Sequence, residues 1–283
     1  MYLYLLTSSE KAMPLKDQHN IDILSLIQNQ GMDDHVASLR YAGIIQKALM
    51  PDIESLNGLF KDYFVLFLPR DIVSGDFYYA FSNRQHTFIA AGDCTGHGVP
   101  GALLSILGIS FLNEIVQTKC DPKANRILNL MREKVMKALH QTGLGAVTMD
   151  SIDIALCIID SRSGKFQYSG ANRPMLRMRN GELAEFKADK MTIGLAPLTE
   201  QPFTNQIIDT QPGDTFYLFS DGFADQFGEL TDKKFKHMHL KRVIVSMAGL
   251  PMSQQKKILK STFDDWKGNT QQIDDVLIFG FQV

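Results

Sequence analysis

Between Val99 and Val116 the chain reads VPGALLSILGISFLNEIV, an almost unbroken apolar run entered through a turn rich in glycine, Gly96, Gly98 and Gly101. A helix that is apolar nearly all round either spans a bilayer or lies inside a larger packed structure. This run carries Ser105, Gly108, Ser110, Asn113 and Glu114 and has no basic flank, so burial in a folded core is the expectation. With 283 residues, 45% hydrophobic and 21% charged, the chain has the composition of a soluble globular protein. Its formal net charge of -2 supplies no general attraction to nucleic acid or to an anionic membrane. Neither is expected as a partner.

The segments around the run set the fold class. Residues 33–50, DDHVASLRYAGIIQKALM, place Val36, Leu39, Ile44, Ile45, Ala48 and Leu49 on one stripe of an amphipathic helix, with Asp33 or Asp34 as N-cap and Pro51 as its stop. Short β-rich runs follow at 63–69, 76–83 and 86–93. After the apolar helix and a second, amphipathic one at 123–141, strands return at 152–160, 165–171 and 174–179, and Asn180-Gly181 marks a tight hairpin. QPFTNQIID and TFYLFSDG read as further strands. Helices over roughly 233–249 and 253–267 then precede a last strand, DDVLIFGFQV. Hairpin-linked strands and helices in consecutive pairs predict an α+β fold, sheets stacked face to face with helical pairs outside. Residues 1–52 read as a lead-in and linker helix, and 53–283 as one domain.

Cys94, Cys120 and Cys157 are scattered and form no C-x-x-C pair, which suits a reducing compartment and argues against a thiolate metal site. The opening MYLYLLTSSEKAMP has no basic region before its short apolar start. No signal peptide or anchor is read there, and a cytoplasmic location is expected.

Four aspartates share a setting. Asp76 in VSGDFYYAF, Asp93 in AAGDCTGHG, Asp221 in YLFSDGFAD and Asp274 in QQIDDVLIFG each stand at the start or end of an apolar strand beside small residues. Singly, each suits a turn. Gathered at one end of a sheet they would repel one another unless a cation neutralised them, and all-oxygen ligation favours a hard ion, Mg²⁺ or Mn²⁺. Two such ions about 3.5–4 Å apart activate water for in-line attack on phosphorus.

LPRDIVSGDFYY, GDCTGHGVPGALLSILG, SGANRPML, FSDGFADQFG and the terminal DDVLIFG, in that order, resemble the SpoIIE/RsbU-type serine phosphatases, a branch of the PP2C-like (PPM) metal-dependent protein phosphatases. The resemblance runs from about Ala37 to the C-terminus. It implies an α-β-β-α sandwich of two antiparallel sheets flanked by helical pairs. It also implies two divalent cations, Mn²⁺ or Mg²⁺, with Asp76 and Asp93 bridging, the backbone carbonyl of Cys94 on the first ion, and Asp221 and Asp274 on the second. Strand alternation sends the Asp275 side chain to the opposite face. The reaction implied is hydrolysis of a phosphoserine or phosphothreonine protein by a metal-activated water, with no protein nucleophile. The substrate implied is a STAS-type anti-sigma-factor antagonist in partner-switching signalling.

Other residues carry two readings each. His97 is either a general acid for the leaving oxygen or the cap of its Gly-His-Gly turn. Arg70 either binds substrate phosphate or is a solvated strand-end arginine. Asn172 and Arg173 form a turn that also suits substrate contact. Asp150, in TMDSIDIAL with Asp153, is a candidate ligand of a third, weaker ion, although the family's more usual wording there is Asp-Gly-Met-Asp. His237 and His239 fall on different faces of a basic helix and make no metal site. Two other functions remain beside the phosphatase: a silent binding module of the same fold, and a two-metal hydrolase of a small phosphoester. Helix 33–50 adds a regulatory expectation. About 32 residues precede it, too few for a sensor domain, so the chain answers to a separate upstream sensor or activator or belongs to a longer polypeptide. The helix stripe is also suited to pairing two subunits.

Overall fold

Among the described residues ten strands alternate their side chains between two layers, and most of them are apolar on both faces. The computed structural model describes residues 34–52, 56–118, 122–141, 148–195 and 201–283. The lead-in 1–32, the Asp33 cap and Cys120 lie outside the described residues. The chain divides into two units, 1–42 and 43–283. In the first, the described residues 34–42 are helical; this helix, α1, continues to residue 49 in the second.

In the larger unit one sheet has the order β1-β10-β9-β6-β7, formed by Asp62–Leu68, Val276–Gln282, Thr215–Phe219, Met175–Arg179 and Glu182–Phe186. The other has the order β2-β3-β4-β5-β8, formed by Phe77–Ser82, His86–Cys94, Ile152–Asp160, Phe166–Ala171 and Gln206–Ile208. Every strand pair is antiparallel. Helices α2 (Gly98–Thr118) and α3 (Ala124–Ala138) cover the second sheet, while α5 (His237–Ser246) and α6 (Met252–Lys267) cover the first. A single turn, α4 (Gly222–Asp225), follows β9. This is the expected sandwich.

The period of two explains the layering. In β10, Leu277, Phe279 and Phe281 face the other sheet, while Val276 and Ile278 join the layer under α5 and α6. Between the sheets Phe216 stacks on Phe166 with ring centres 4.4 Å apart and on Phe281 at 5.5 Å. The apolar run forms α2, which by length and composition would cross a bilayer; half of its most apolar stretch is buried, including Leu104, Ile109, Leu112 and Ile115.

Some boundaries differ from expectation. The strand expected over QPFTNQIID narrows to Gln206–Ile208, because Thr204 gives its backbone N–H and its hydroxyl to the Asp189 carboxylate. The helix expected from 233 begins at His237, because Lys233 and Phe235 bond back to Gly228 and Gln226. The hairpin at Asn180-Gly181 has φ of 51° and 83°, the left-handed pair a two-residue turn requires.

Candidate metal centre

Strand register brings the acidic residues together. Phe77 pairs with Gly92 and Asp93 with Asp153, so Asp76, Asp93 and Asp153 form a row across one end of β2, β3 and β4. Asp221, just beyond β9, and Asp274, just before β10, come from the same end of the other sheet. Asp93, Asp153, Asp221 and Asp274 line an open cleft of about 230 Å³ with Cys94 and Arg173.

Asp76 is not among the residues lining that cleft. It is buried behind it, 2% exposed, and its Oδ2 accepts from the Ser220 hydroxyl at 2.6 Å. Burial, then the charge of Asp93, holds its carboxyl well above the usual range, and the Ser220 bond only partly opposes this. Asp93 is pushed up to about 8, first by burial, with Asp221, Asp274 and Asp153 adding to the rise and Arg173 opposing it. Burial also raises Asp274, against the Asp275 N–H that its carboxylate accepts. Burial raises the Cys94 thiol, which leaves its backbone carbonyl as the group suited to a hard ion.

Two glycines let these loops close. A Cβ on Gly75 would sit 2.6 Å from the Gly96 carbonyl and 3.3 Å from the Cys94 carbonyl, and one on Gly101 would sit 2.3 Å from the Gly96 carbonyl. Side chains at these positions would push α2 off the corner that holds Asp93. The loop before Asp76 is clamped from two sides. Gln46 accepts from Ser74 N–H at 3.0 Å and donates to the Ser74 carbonyl at 2.5 Å and to Ser105 Oγ at 2.8 Å. Asp275 turns away from the cleft and accepts from the N–H groups of Arg70 and Gly75, at 2.7 and 2.8 Å.

Arg173 enters the cluster from the opposite side. Asn172 takes a left-handed φ of 54°, its side chain donates to Asp153 at 2.9 Å, and the Arg173 carbonyl accepts from Tyr168 OH at 2.6 Å. The guanidinium Nη2 then lies 2.7 Å from Asp221, 2.9 Å from Asp93 and 3.4 Å from Asp153. Burial disfavours its charge, but the three carboxylates carry its pKa above the ordinary guanidinium value.

The other candidates stand apart. Asp150 does not join the cluster. Its carboxylate accepts from the Thr148 hydroxyl, because it precedes β4 by two residues, while Asp153 within the strand falls opposite Asp93. Arg70 donates to the Ile273 carbonyl at 3.0 Å and is not among the residues that line the cleft. His97, its side chain 48% exposed, pairs with Asp71 at 3.2 Å. Asp153 as a cleft residue and Ser220 and Gln46 as supports were not anticipated. Ser220 had a local signal in its place beside Asp221, and Asp153 had one as the second aspartate of TMDSIDIAL.

The donor set fits a hard divalent cation. It is all oxygen, its carboxylates outnumber the one guanidinium among them, and Asp93 Oδ2 is buried without a hydrogen-bond partner. The Asp93, Asp153 and Asp221 carboxylates meet at Arg173 Nη2. Among the described residues no three His, Cys, Asp or Glu groups are set to hold an ion as they stand.

Residues 83–283 match the family model of Stage II sporulation protein E (SpoIIE). The chain belongs to the SpoIIE family. Its fold is the PP2C phosphatase fold of this family's solved structures. The SiaA-PP2C domain of Pseudomonas aeruginosa is 28% identical with a TM-score of 0.80, over 89% of this chain and 98% of that one. The PP2C phosphatase domain of SpoIIE from Bacillus subtilis, solved with a fragment of its regulatory domain, is 18% identical with a TM-score of 0.61, over 78% of this chain and 63% of that one. The RsbU and RsbW domains of Rv1364c from Mycobacterium tuberculosis are 19% identical with a TM-score of 0.59, over 78% and 59%. No curated protein sequence matches the chain.

Proposed function

We propose that this SpoIIE-family chain is a metal-dependent serine/threonine protein phosphatase. The observation that carries the reading is the convergence of Asp93, Asp153, Asp221 and Asp274 on one cleft, with Asp76 behind them. Asp76, Asp93 and the Cys94 carbonyl would hold one Mn²⁺ or Mg²⁺, and Asp221 and Asp274 a second. Bound there, such ions polarise a phosphoryl oxygen and lower the pKa of water.

The chain's own residues do the rest. Ser220 orients Asp76, the Asp275 clamp fixes the loop that carries it, and the antiparallel pairing holds Asp93 in place. His97, engaged by Asp71, takes no step in this reading. The cleft is small and open, with the Asp221 and Asp153 side chains 33% and 22% exposed. It suits a phosphate carried on a protein surface better than an enclosed small phosphoester. A phosphorylated STAS-type antagonist is the proposed substrate. Support comes from the resemblance of the motifs and from a structural relative in which RsbU and RsbW domains occur together.

The test is hydrolysis of a phosphoserine STAS protein and of p-nitrophenyl phosphate with Mn²⁺, Mg²⁺ or EDTA, by wild type and Asp93→Asn. Turnover that requires metal and is lost in the variant is expected. Metal bound without turnover would mark an enzyme held off by its missing activator, no metal binding would favour the silent module, and turnover of p-nitrophenyl phosphate alone would overturn the proposed protein substrate.

A further inference from the structure

Arg173 makes an unusual set of contacts for a buried arginine. All three of its ion pairs run through one nitrogen, Nη2. That nitrogen has two protons for three carboxylates. It bonds Asp221 and Asp153, and the 2.9 Å approach to Asp93 Oδ2 leaves that oxygen without a hydrogen bond. Nε of the same guanidinium is also buried without a hydrogen-bond partner, as are those of Arg70 and Arg177. Arginine–carboxylate pairs are frequently bidentate, two parallel N–H···O bonds from one fork. This one neutralises the cluster by charge and fits it poorly.

The site has the features of a position shared by two cations. A single positive charge faces Asp93, Asp153 and Asp221 at salt-bridge distance, and Asp274 lines the same cleft. The cost of leaving Nε and Asp93 Oδ2 unpaired is relieved once the guanidinium leaves. We infer that Arg173 is a built-in counter-ion of the metal-free site, and that divalent cations bind by displacing its guanidinium from Asp93 and Asp221. The inference rests on the metal-dependent reading above. It assigns Arg173 a role in setting metal affinity: the arginine holds the carboxylates together without metal and competes with metal for them. Arg173 is therefore a positioning residue for the site and acts on no substrate atom.

Calorimetric titration of Mn²⁺ into chelator-treated protein tests this, together with thermal melting of the metal-free forms. Arg173→Met keeps the length of the side chain and removes the competing charge. It should bind Mn²⁺ about tenfold or more tighter than wild type and melt at a lower temperature when metal-free. Guanidinium chloride at low millimolar concentration should weaken Mn²⁺ binding to this variant, and KCl at the same ionic strength should not. Affinity unchanged or weakened in Arg173→Met would overturn the inference and leave the metal reading intact. No Mn²⁺ binding by wild type and variant alike would overturn both. If Arg173→Met does not fold, Arg173→Lys decides. Its unforked ammonium should hold the cluster less well, so a several-fold tightening supports competition and an unchanged affinity refutes it.

Discussion

Asp93 shows how burial turns a single residue into a pH-sensitive element. In the metal-free chain its carboxyl is pushed up to about 8, first by burial, from an ordinary 3.8. Between those values the folded chain keeps a proton there that the unfolded chain has released. Stability therefore falls as pH rises through that window, because the folded state is the one binding more protons. Asp76, Asp153, Asp221 and Asp274 surround the group, with Arg173 as the opposing charge. The melting temperature of chelator-treated wild type should fall between pH 5 and pH 8 more steeply than that of Asp93→Asn. Parallel curves for the two proteins would show that the Asp93 proton is not part of the folded state.

At the scale of elements, the site depends on loops that strands and helices pin from behind. Gln46, on the part of α1 that belongs to the larger unit, is 4% exposed and satisfies both backbone groups of Ser74 as well as Ser105. Gln46→Ala leaves buried donors and acceptors unpaired and should cost about 1–3 kcal/mol, measurable by denaturant unfolding. Gln46→Glu should be no better, since a carboxylate cannot donate to the Ser74 carbonyl. A wild-type unfolding midpoint in both variants would mean that solvent replaces the clamp. The β3–β4 pair acts in the same way on Asp153. Two helices separate these strands in the chain, so no local pattern foretold that Asp153, and not Asp150, would stand opposite Asp93.

For the whole molecule, the two sheets are held face to face by large buried side chains. Phe216 is fully buried and stacks on both Phe166 and Phe281, which also stack on each other at 6.4 Å. Phe216→Ala should destabilise the fold by about 3–5 kcal/mol, a large part of the 5–15 kcal/mol typical of a domain. A lowered midpoint in denaturant unfolding would register it, and a loss under about 1 kcal/mol would mean that the layer collapses to fill the space.

The sequence by itself determined the local structure and the kind of chemistry. Periods of two and of nearly four, turn residues such as Asn180-Gly181 and the aspartates at strand ends all act within a few neighbouring residues, so they are legible in order along the chain. The tertiary structure decided who meets whom. Strands that are apolar on both faces carry no mark of their partners. The row Asp76–Asp93–Asp153, the turning of Asp275 onto the Arg70 and Gly75 amides and the seating of Arg173 among three carboxylates arise only when distant segments pack. Charge and burial at those contacts set the properties of the site, and both are sums over neighbours that the chain brings together only by folding.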